Sequence, residues 1–214
     1  VVYQEDWHKG VIGIVASRLI ETYYRPTLVF TKSGDKLAAS ARSVKGFDVY
    51  NALEKCSEFI EQFGGHKYAA GLTLLPEQYE NFKNKFEEVV ATTIDKNLLT
   101  PEISIDTELD LEDISPKFYR ILKQMAPFGP QNLKPTFTTS SVRDNGYGKP
   151  VGADKTHLKL NIIYGSDKRT YNAIGFNLGN KMSSIQNEFD IVYVLDENTW
   201  QGNTSIQLVL KDLK

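Results

Sequence analysis

Apolar and polar positions in the first part of the chain follow two periods in turn. Residues 9–24 are predicted to form a helix that Pro26 ends. The apolar positions of this helix recur at close to helical spacing and are Val11, Ile14, Val15, Leu19 and Tyr23. Short apolar runs at residues 27–31 and 36–42, separated by the turn residues 33–35, predict a pair of strands.

Two further helices and one strand are predicted before the pattern changes. Asp48 is the predicted N-cap of a helix that runs to Ile60. Residues 72–75 are predicted to form a strand, and Pro76 suits the first turn of a long helix that ends near residue 95. The apolar stripe of that long helix is Tyr79, Phe82, Phe86 and Val90. Helices that alternate with strands predict an α/β layered fold.

The pattern shifts after a short connection that ends in Pro101 and Glu102. A helix is predicted near residues 115–125. Short alternating segments, separated by Gly, Asn and Asp turns, lie at residues 136–143, 156–164, 169–176, 189–195 and 204–211. Several short strands of this kind are typical of a small barrel. The sequence therefore predicts an α/β domain over residues 1–97 and a mainly β barrel domain over residues 98–214.

The composition fits two domains in a reducing compartment. A chain of 214 residues suits two domains of about 100 residues each. No apolar run approaches the roughly 20 residues that a membrane span needs, and no signal peptide is visible, so no membrane partner is expected. The single cysteine, Cys56, is predicted to pack in a helix and indicates a cytoplasmic location. Because the net charge is −2, any basic surface that binds nucleic acid must be confined to a small part of the chain.

The segment 63–71, FGGHKYAAG, is the most distinctive in the chain. Gly64 and Gly65 permit a positive φ and a close approach to the main chain, and the small residues that follow leave His66 in a cleared space. Backbone N–H groups and an imidazole together form a candidate phosphate site. A tight turn capped by His66 is the alternative interpretation. One histidine without nearby cysteine or acidic spacing does not predict a metal site.

Ser40 and Arg42 form a second candidate anion site. They lie two residues apart on a predicted strand, so their side chains leave the same face, which small neighbours keep open. A hydroxyl beside a guanidinium makes a good oxyanion clamp, whereas a solvated polar pair is the alternative. His8, before Gly10 at a predicted helix start, is a further candidate because helix N-termini favour anions. Stacking on Trp7 or capping of the helix are the alternatives for His8.

The barrel domain carries a candidate basic surface. Its members are Lys155, His157, Lys159, Arg169 and Tyr171, predicted to share one face. OB folds hold a single strand on such a face, with stacking worth ~1–3 kcal/mol per base, and an ordinary solvated strand face is the alternative. Trp200, in a hairpin-like turn, either stacks on a base or packs over its own hairpin, and packing is favoured.

Motifs in both halves resemble one family, in the order in which that family carries them. They lie at residues 7–18, 40–43, 63–71, 126–129, 157–160, 173–177 and 207–212. These segments resemble the DHH-associated and OB-fold domains of the RecJ family of bacterial 5′→3′ exonucleases, which act on single-stranded DNA in repair and recombination. The resemblance covers essentially the whole chain and implies an α/β DHH-associated domain followed by a mainly β OB-fold barrel domain.

The resemblance also implies roles for individual residues. Ser40 and Arg42 match residues that bind the 5′ end of DNA and its phosphate. His66 matches a histidine that faces the catalytic centre and contacts the scissile or a neighbouring phosphate. The candidate substrate-binding residues are His8, Ser40, Arg42, Gly64, Gly65, His66, Lys155, Lys159 and Arg169.

The chain departs from the family in two respects. It lacks the catalytic Asp-His-His sequence, its three histidines are scattered, and it begins at Val1 without an initiator methionine. We therefore expect the C-terminal part of a longer enzyme, with Mn²⁺ or Mg²⁺ in a missing N-terminal DHH domain, no cofactor here and no DNA hydrolysis by this part alone. The family's usual Gly-Asn-Pro after Pro-Phe-Gly is replaced at residues 130–133, which predicts a weaker binding loop.

Two other classes of function compete with this interpretation. A DHH-family phosphodiesterase acting on nanoRNA or cyclic dinucleotides has a related first domain, but short substrates need no strand-holding barrel. A non-catalytic module that docks repair or replication proteins through the barrel fits the near-neutral charge. Binding of a 5′-phosphorylated oligonucleotide, compared with a dinucleotide, separates the three.

Overall fold

The computed structural model describes residues 1–165, 169–185 and 187–214. These residues form two compact units, Val1–Glu102 and Ile103–Lys214, each with a hydrophobic core of its own.

The first unit is a five-stranded mixed sheet with helices on both faces. Its strands are β1 (Val2–Tyr3), β2 (Thr27–Ser33), β3 (Lys36–Arg42), β4 (Gln62–His66) and β5 (Ala69–Leu74), in the order β1-β2-β3-β5-β4. Its helices are α1 (Ile12–Tyr23), α2 (Val49–Glu54) and α3 (Tyr79–Thr93). Only β1 pairs in parallel, with β2, so the remaining strands are joined by two hairpins and a return from β3 to β4.

The larger core lies between the sheet and the helices α2 and α3. Leu28, Phe30 and Leu72 point into it from the sheet, and Phe82 and Phe86 from α3. The long-helix prediction is confirmed, although Val89 rather than Val90 is buried and a 3₁₀ turn over Pro76–Gln78 precedes α3.

Helix α1 lies on the opposite face of the sheet, where Val15 and Leu19 of its predicted apolar stripe pack but Val11, Ile14 and Tyr23 do not. Ile12 and Ala16 are buried there against Val29. Ile14 and Tyr23 of the predicted stripe are instead 63% and 66% exposed. Small and medium side chains bring α1 close to the strands, because they leave room for the helix backbone to approach the sheet.

Other predicted boundaries shift by several residues. The Asp48 carboxylate accepts a hydrogen bond from the Asn51 N–H at 3.0 Å, as expected of an N-cap. The helix it caps ends at Glu54, and a separate 3₁₀ turn covers Ser57–Phe59, so the helix does not reach Ile60.

Cys56 is fully buried in the first core, directly after α2. Burial raises the pKa of its thiol from 9.0 to about 11, so the native thiol stays protonated where the unfolded one ionises. The contribution of the protonated Cys56 thiol to the free energy of unfolding is fully present below about pH 9 and is lost as the pH rises towards 11. We expect the free energy of unfolding to fall less steeply over this range in Cys56→Ala than in wild type, measured by denaturant melts. Equal slopes would contradict the burial effect.

In its described residues, the second unit is a ring of strands with one α-helix. Its strands are β6 (Thr107–Glu108), β7 (Phe137–Asp144), β8 (Lys149–Val151), β9 (His157–Tyr164), β10 (Arg169–Gly175), β11 (Phe189–Trp200) and β12 (Asn203–Leu213). Neighbouring strands follow the order β6-β7-β11-β12-β10-β9-β8, and β7 also pairs with β9. The long strands therefore close as β7-β9-β10-β12-β11-β7, with β10 parallel to β12. This is the five-stranded barrel order of an OB fold, so the predicted small barrel is confirmed.

The ring closes through a short contact between β7 and β9. Two residue pairs make this contact, Arg143 with Ile163 and Asp144 with Ile162. The Asp144 carboxylate accepts backbone N–H groups of Gly146 and Gly148 at 2.8 Å and of Asn161 at 2.9 Å. One side chain thus ties the end of β7 to the loop that follows it and to β9.

Helix α4 (Pro116–Lys123) and a pinned loop lie beside the barrel. The Ser115 hydroxyl accepts the Phe118 N–H and caps α4. In the loop that departs from the family pattern, the Asn132 side chain donates to the carbonyls of Met125 and Pro127, both at 2.9 Å. Gln131 has a positive φ of 69°, where a glycine would be unstrained. The loop therefore keeps a defined conformation despite its altered sequence.

Candidate functional site

One face of the first sheet is only partly covered. Helix α1 packs over β2 and β3, whereas β5 and β4 carry no helix on this side. Ser40, Gly71 and Gly64 are direct partners across β3, β5 and β4, so they form one row on this face. Because the two glycines place no side chain there, an open cavity of about 440 Å³ lies between this row and the start of α1.

The start of α1 forms the opposite wall of this cavity. A Cβ added to Gly13 would lie 2.9 Å from the Arg42 guanidinium and 3.1 Å from the Ser40 hydroxyl. Gly13 therefore lets the helix approach these two side chains closely. Lys9 lines the cavity and donates to the Ser33 hydroxyl at 3.2 Å. Gly13 was not among the residues predicted from the sequence, although a glycine inside an amphipathic helix is a signal of close packing.

Ser40 and Arg42 are together, as their spacing predicts. The Arg42 Nη1 donates to the Ser40 hydroxyl at 2.9 Å and to the Ala41 carbonyl at 2.8 Å. No acidic side chain of the described residues pairs with Arg42. The half-buried guanidinium is thus fixed in place and keeps its charge for an anion.

The two adjacent glycines play different parts. Gly65 has a φ of +148°, and a Cβ there would lie 2.3 Å from the Ala69 carbonyl oxygen. A Cβ added to Gly64 would meet no atom within 4 Å. Gly65 is therefore required by the hairpin itself, whereas Gly64 leaves empty space on the cavity side.

His66 closes the hairpin between β4 and β5. Its Nδ1 accepts the Tyr68 N–H at 3.3 Å, so the neutral ring carries its proton on Nε2. The turn is held from outside, since the Lys67 carbonyl accepts the Val49 N–H and the Tyr68 carbonyl accepts the Ser43 N–H. His66 thus caps the turn and still has an Nε2–H donor.

His66 and Arg42 lie on the same face of the sheet. Both pair with Ala69, from the two sides of β5. Their backbones are therefore about 10 Å apart, two strand spacings. A phosphate that lies between them can contact both residues only if one of the two side chains is long, as that of Arg42 is.

His8 holds the turn that precedes α1. Its Nδ1 accepts the Gly10 N–H at 3.0 Å. The preceding segment is positioned by the buried Thr31 hydroxyl, which donates to the carbonyls of Glu5 and Trp7. His8 therefore does not cap α1 itself, whose N-cap Val11 has no side-chain hydrogen bond, and Lys9 rather than His8 lines the cavity.

The predicted basic face of the barrel is only partly as expected. Lys159 lies on the outer face of β9 and pairs with Lys149 of β8, which the sequence analysis did not identify. Lys155 precedes β9 in a turn with a φ of +53°, so it does not continue the strand alternation. Neither Lys149 nor Lys159 forms an ion pair within the described part of the chain.

Arg169 and Tyr171 do not extend the Lys159 face. Tyr171 pairs with the buried Ile162, and Lys159 pairs with Ile174. Because side chains alternate along a strand, Arg169 and Tyr171 leave β10 on the side opposite to Ile174. The register between the strands decides this, and the sequence of β10 alone does not contain it.

An aromatic pair lies at the end of the outer face. His157 meets Phe176 edge to face, with ring centroids 5.3 Å apart. The His157 Nδ1 accepts the Asn177 N–H at 3.1 Å, which fixes the imidazole. Phe176 is 57% exposed and is a stacking candidate that sequence reasoning missed.

The prediction that Trp200 packs over its hairpin is wrong. Trp200 is 71% exposed, at the last residue of β11 and opposite Asn203 of β12. The two residues between them, Gln201 and Gly202, both have a positive φ. This is the signature of a tight type I′ turn, which leaves no loop for the indole to pack on.

The described residues contain neither a cluster of metal ligands nor a membrane-spanning helix. No group of three or more His, Cys, Asp or Glu side chains is arranged to hold a metal ion within residues 1–165, 169–185 and 187–214. In the same residues, no helix has both the length and the apolar character needed to cross a membrane.

Comparison with known protein families agrees with this architecture. The DHHA1 domain matches residues 1–92, and the RecJ OB domain matches residues 105–212, about half of the chain. The chain belongs to the RecJ family. The first unit is accordingly a DHH-associated domain and the barrel is the RecJ OB domain, as the resemblance implied.

Individual RecJ proteins match over the full chain. The single-stranded-DNA-specific exonuclease RecJ of Bacillus subtilis is 32% identical over 216 residues, covering 99% of this chain but 27% of that protein. Crystal structures of RecJ from Thermus thermophilus in complex with Mg²⁺ and with Mn²⁺ match with TM-scores of 0.75 and 0.76, both at 26% identity. They cover 99% and 100% of this chain, which spans 32% and 30% of those chains. The chain thus spans about a third or less of the length of these relatives.

Proposed function

We propose that this chain is the DNA-holding part of a RecJ exonuclease that degrades single-stranded DNA from the 5′ end in repair and recombination. In this proposal the first unit binds the 5′-terminal phosphate and the barrel holds the strand behind it. The observation that carries it is the fixed Ser40–Arg42 pair beside the open cavity, with no acidic partner among the described residues.

The cavity suits a terminal phosphate in three ways. Ser40 offers a hydroxyl from one wall, and Lys9 adds a cation. The Arg42 guanidinium, bonded to Ser40 beside the cavity, offers charge-assisted hydrogen bonds. The uncapped start of α1 lies on the other wall, and no side chain caps its backbone N–H groups. The floor at Gly64 and Gly71 leaves room for a sugar, and the Nε2–H of His66 donates to a neighbouring phosphate.

The test is a binding comparison on the purified chain. Oligonucleotides of one sequence, with a 5′-phosphate or a 5′-hydroxyl, are titrated beside a 5′-phosphorylated dinucleotide. We expect the phosphorylated oligonucleotide to bind most tightly. A dinucleotide that binds equally well would favour a small-substrate phosphodiesterase. No binding of any nucleic acid would favour a protein-docking module.

Divalent metal is part of the proposed reaction. The relatives of known structure bind Mg²⁺ or Mn²⁺. We propose that a DHH catalytic domain outside these residues holds the ions, which activate water for phosphodiester hydrolysis. The proposed location is the cytoplasm, supported by the single, buried and unpaired Cys56. Repair or replication proteins are proposed as further partners of the full enzyme.

We propose that the outer face of the barrel binds single-stranded DNA through contacts with its phosphates. Lys149 and Lys159 are adjacent on this face and unpaired among the described residues, with Phe176 and His157 at its end. Strands 2 and 3 of an OB fold, here β9 and β10, form its usual oligonucleotide surface. Lys155 and Arg169 belong to this proposal only as flanking cations, because they lie off the shared face.

Replacing Lys149 and Lys159 together by Glu is expected to weaken binding to single strands of any sequence. Loss of two phosphate contacts should also reduce the salt slope of log K against log salt by about 1 to 2. The measurement is fluorescence anisotropy at several salt concentrations. The matched control reverses two paired surface lysines, Lys32 and Lys85, in the first unit. An unchanged slope in the folded Lys149/Lys159 variant would contradict the phosphate role.

A further inference from the structure

The hairpin of β11 and β12 projects beyond the rest of the barrel ladder. β11 pairs with β7 only up to Tyr193, and β12 pairs with β10 only from Leu208 onwards. From Asp196 to Gln207 the two strands therefore pair only with each other. We call residues 196–207 the ribbon.

The two faces of the ribbon differ in chemistry. Leu195 and Leu208 are buried partners, so the residues two and four positions further along each strand share their face, which turns towards α4. The opposite, outer face has the half-buried Asp196 and Gln207 at its base. Beyond them it carries four exposed and uncharged residues, Asn198, Trp200, Asn203 and Ser205. None of these four side chains makes a hydrogen bond to another part of the chain that the structure describes.

The negative charge at the base of the ribbon is neutralised. The Asp196 carboxylate is 2.6 Å from the Lys134 ammonium. Glu197, on the inner face, is 3.0 Å from the Lys123 ammonium. A polyanion that approaches the outer face therefore meets no unpaired carboxylate of the ribbon.

From these observations we propose that the outer face of the ribbon binds an unpaired nucleobase. The Trp200 indole stacks on the base, and the amides of Asn198 and Asn203 with the Ser205 hydroxyl contact its edge. This inference rests on the proposed function, that the barrel binds single-stranded DNA, and adds to it a base-contacting site apart from the Lys149–Lys159 face. The ribbon joins the fourth and fifth barrel strands, one of the connections by which OB folds bind oligonucleotides.

The surface fits a base better than a protein. Trp200 is the one large apolar side chain on the outer face of the ribbon, and it matches the area of a single base rather than the wider patch of a protein interface. The two-residue turn fixes the backbone beside it, since Gln201 and Gly202 have φ values of 49° and 81°. A ligand that stacks on the indole therefore costs side-chain entropy but no ordering of a loop.

Tryptophan fluorescence tests the contact directly. The chain contains only Trp7 and Trp200, so Trp7→Phe leaves Trp200 as the sole reporter. Titration with an oligothymidylate of about 16 nucleotides, the upper end of an OB-fold site, and without a 5′-phosphate should quench this signal. An abasic strand of equal length, which keeps the phosphates, should not. Quenching by both strands, or by neither, overturns the inference.

Affinity measurements give an independent test. Trp200→Ala should weaken binding of the same oligothymidylate at least about fivefold with an unchanged salt slope, and Trp200→Phe should retain most of the affinity. Tyr23→Ala, which removes another exposed aromatic, is the matched control. Unchanged affinity in Trp200→Ala, with weakened binding in Lys149→Glu/Lys159→Glu, overturns the ribbon site and leaves the proposed function standing. A wild-type chain that does not bind single strands overturns both.

Discussion

Replacing Gly65 by alanine is expected to lower the free energy of unfolding of the first unit by about 3 kcal/mol or more. The residue has a φ of +148°, and an added Cβ would lie 2.3 Å from the Ala69 carbonyl oxygen and 2.5 Å from the Ala70 Cα. Both obstacles are backbone atoms of the paired strand β5, so relief requires β4 to separate from it. Thermal and denaturant melts of the purified chain measure the loss.

The neighbouring glycine supplies the matched control. Gly64→Ala adds the same methyl group where no atom lies within 4 Å. Its stability should stay within about 0.5 kcal/mol of wild type. The methyl group would instead occupy the cavity floor, so the affinity for 5′-phosphorylated DNA should fall. Equal destabilisation by the two substitutions would contradict this division of roles.

Arg42→Ala is expected to remove most of the preference for a 5′-phosphate over a 5′-hydroxyl. A terminal phosphate carries more charge than a bridging one and accepts a bidentate pair of hydrogen bonds from a guanidinium. Hydrogen bonds to charged groups contribute roughly 1.5–3 kcal/mol, which corresponds to a preference of about tenfold or more. Competition binding with the two oligonucleotides measures it. Binding through the barrel should persist, because those contacts lie along the strand.

Two further variants separate this effect from a general loss of charge. Arg42→Lys keeps the cation but not the planar fork, and should retain only part of the preference. Arg18→Ala removes an exposed arginine whose partner is Glu21, and should leave the preference intact. The same comparison on the full-length enzyme uses the cleavage rates of the two substrates. Wild-type discrimination in Arg42→Ala would show that another group recognises the phosphate.

The local sequence was sufficient to predict those side-chain arrangements that depend on a single strand. Ser40 and Arg42 lie side by side because alternation along β3 requires it. The face of α1 was not predictable in the same way. Both Ile12/Ala16 and Val11/Ile14 form helical stripes, and packing against Val29 selects the smaller pair. The cavity combines α1, β3, β4 and β5, so only the tertiary fold reveals that Gly13 and Lys9 belong to it.

Cross-strand register accounts for the errors in the barrel. Lys159 faces outward as predicted, but its neighbour Lys149 comes from a three-residue strand with no alternating pattern of its own. Arg169 and Tyr171 alternate along β10 as predicted, but they lie on the face opposite to Lys159. The register between β9 and β10 decides this, because a one-residue change of register exchanges the two faces of a strand. Trp200 shows a related limit. The short turn beside it is visible in the sequence as Gln201-Gly202, but the absence of any covering loop is not.

The closure between β7 and β9 determines where the barrel is weakest. A closed ring has no strand edge, but this one depends on two residue pairs and on the hydrogen bonds of Asp144. By contrast, ten residue pairs join β11 to β12. Backbone amides at the β7–β9 contact should therefore exchange with deuterium before those of β11 and β12. Each such opening leaves residues 143–144 of β7 and 162–163 of β9 unpaired with each other, which makes this contact the point from which barrels of different molecules would join and aggregate.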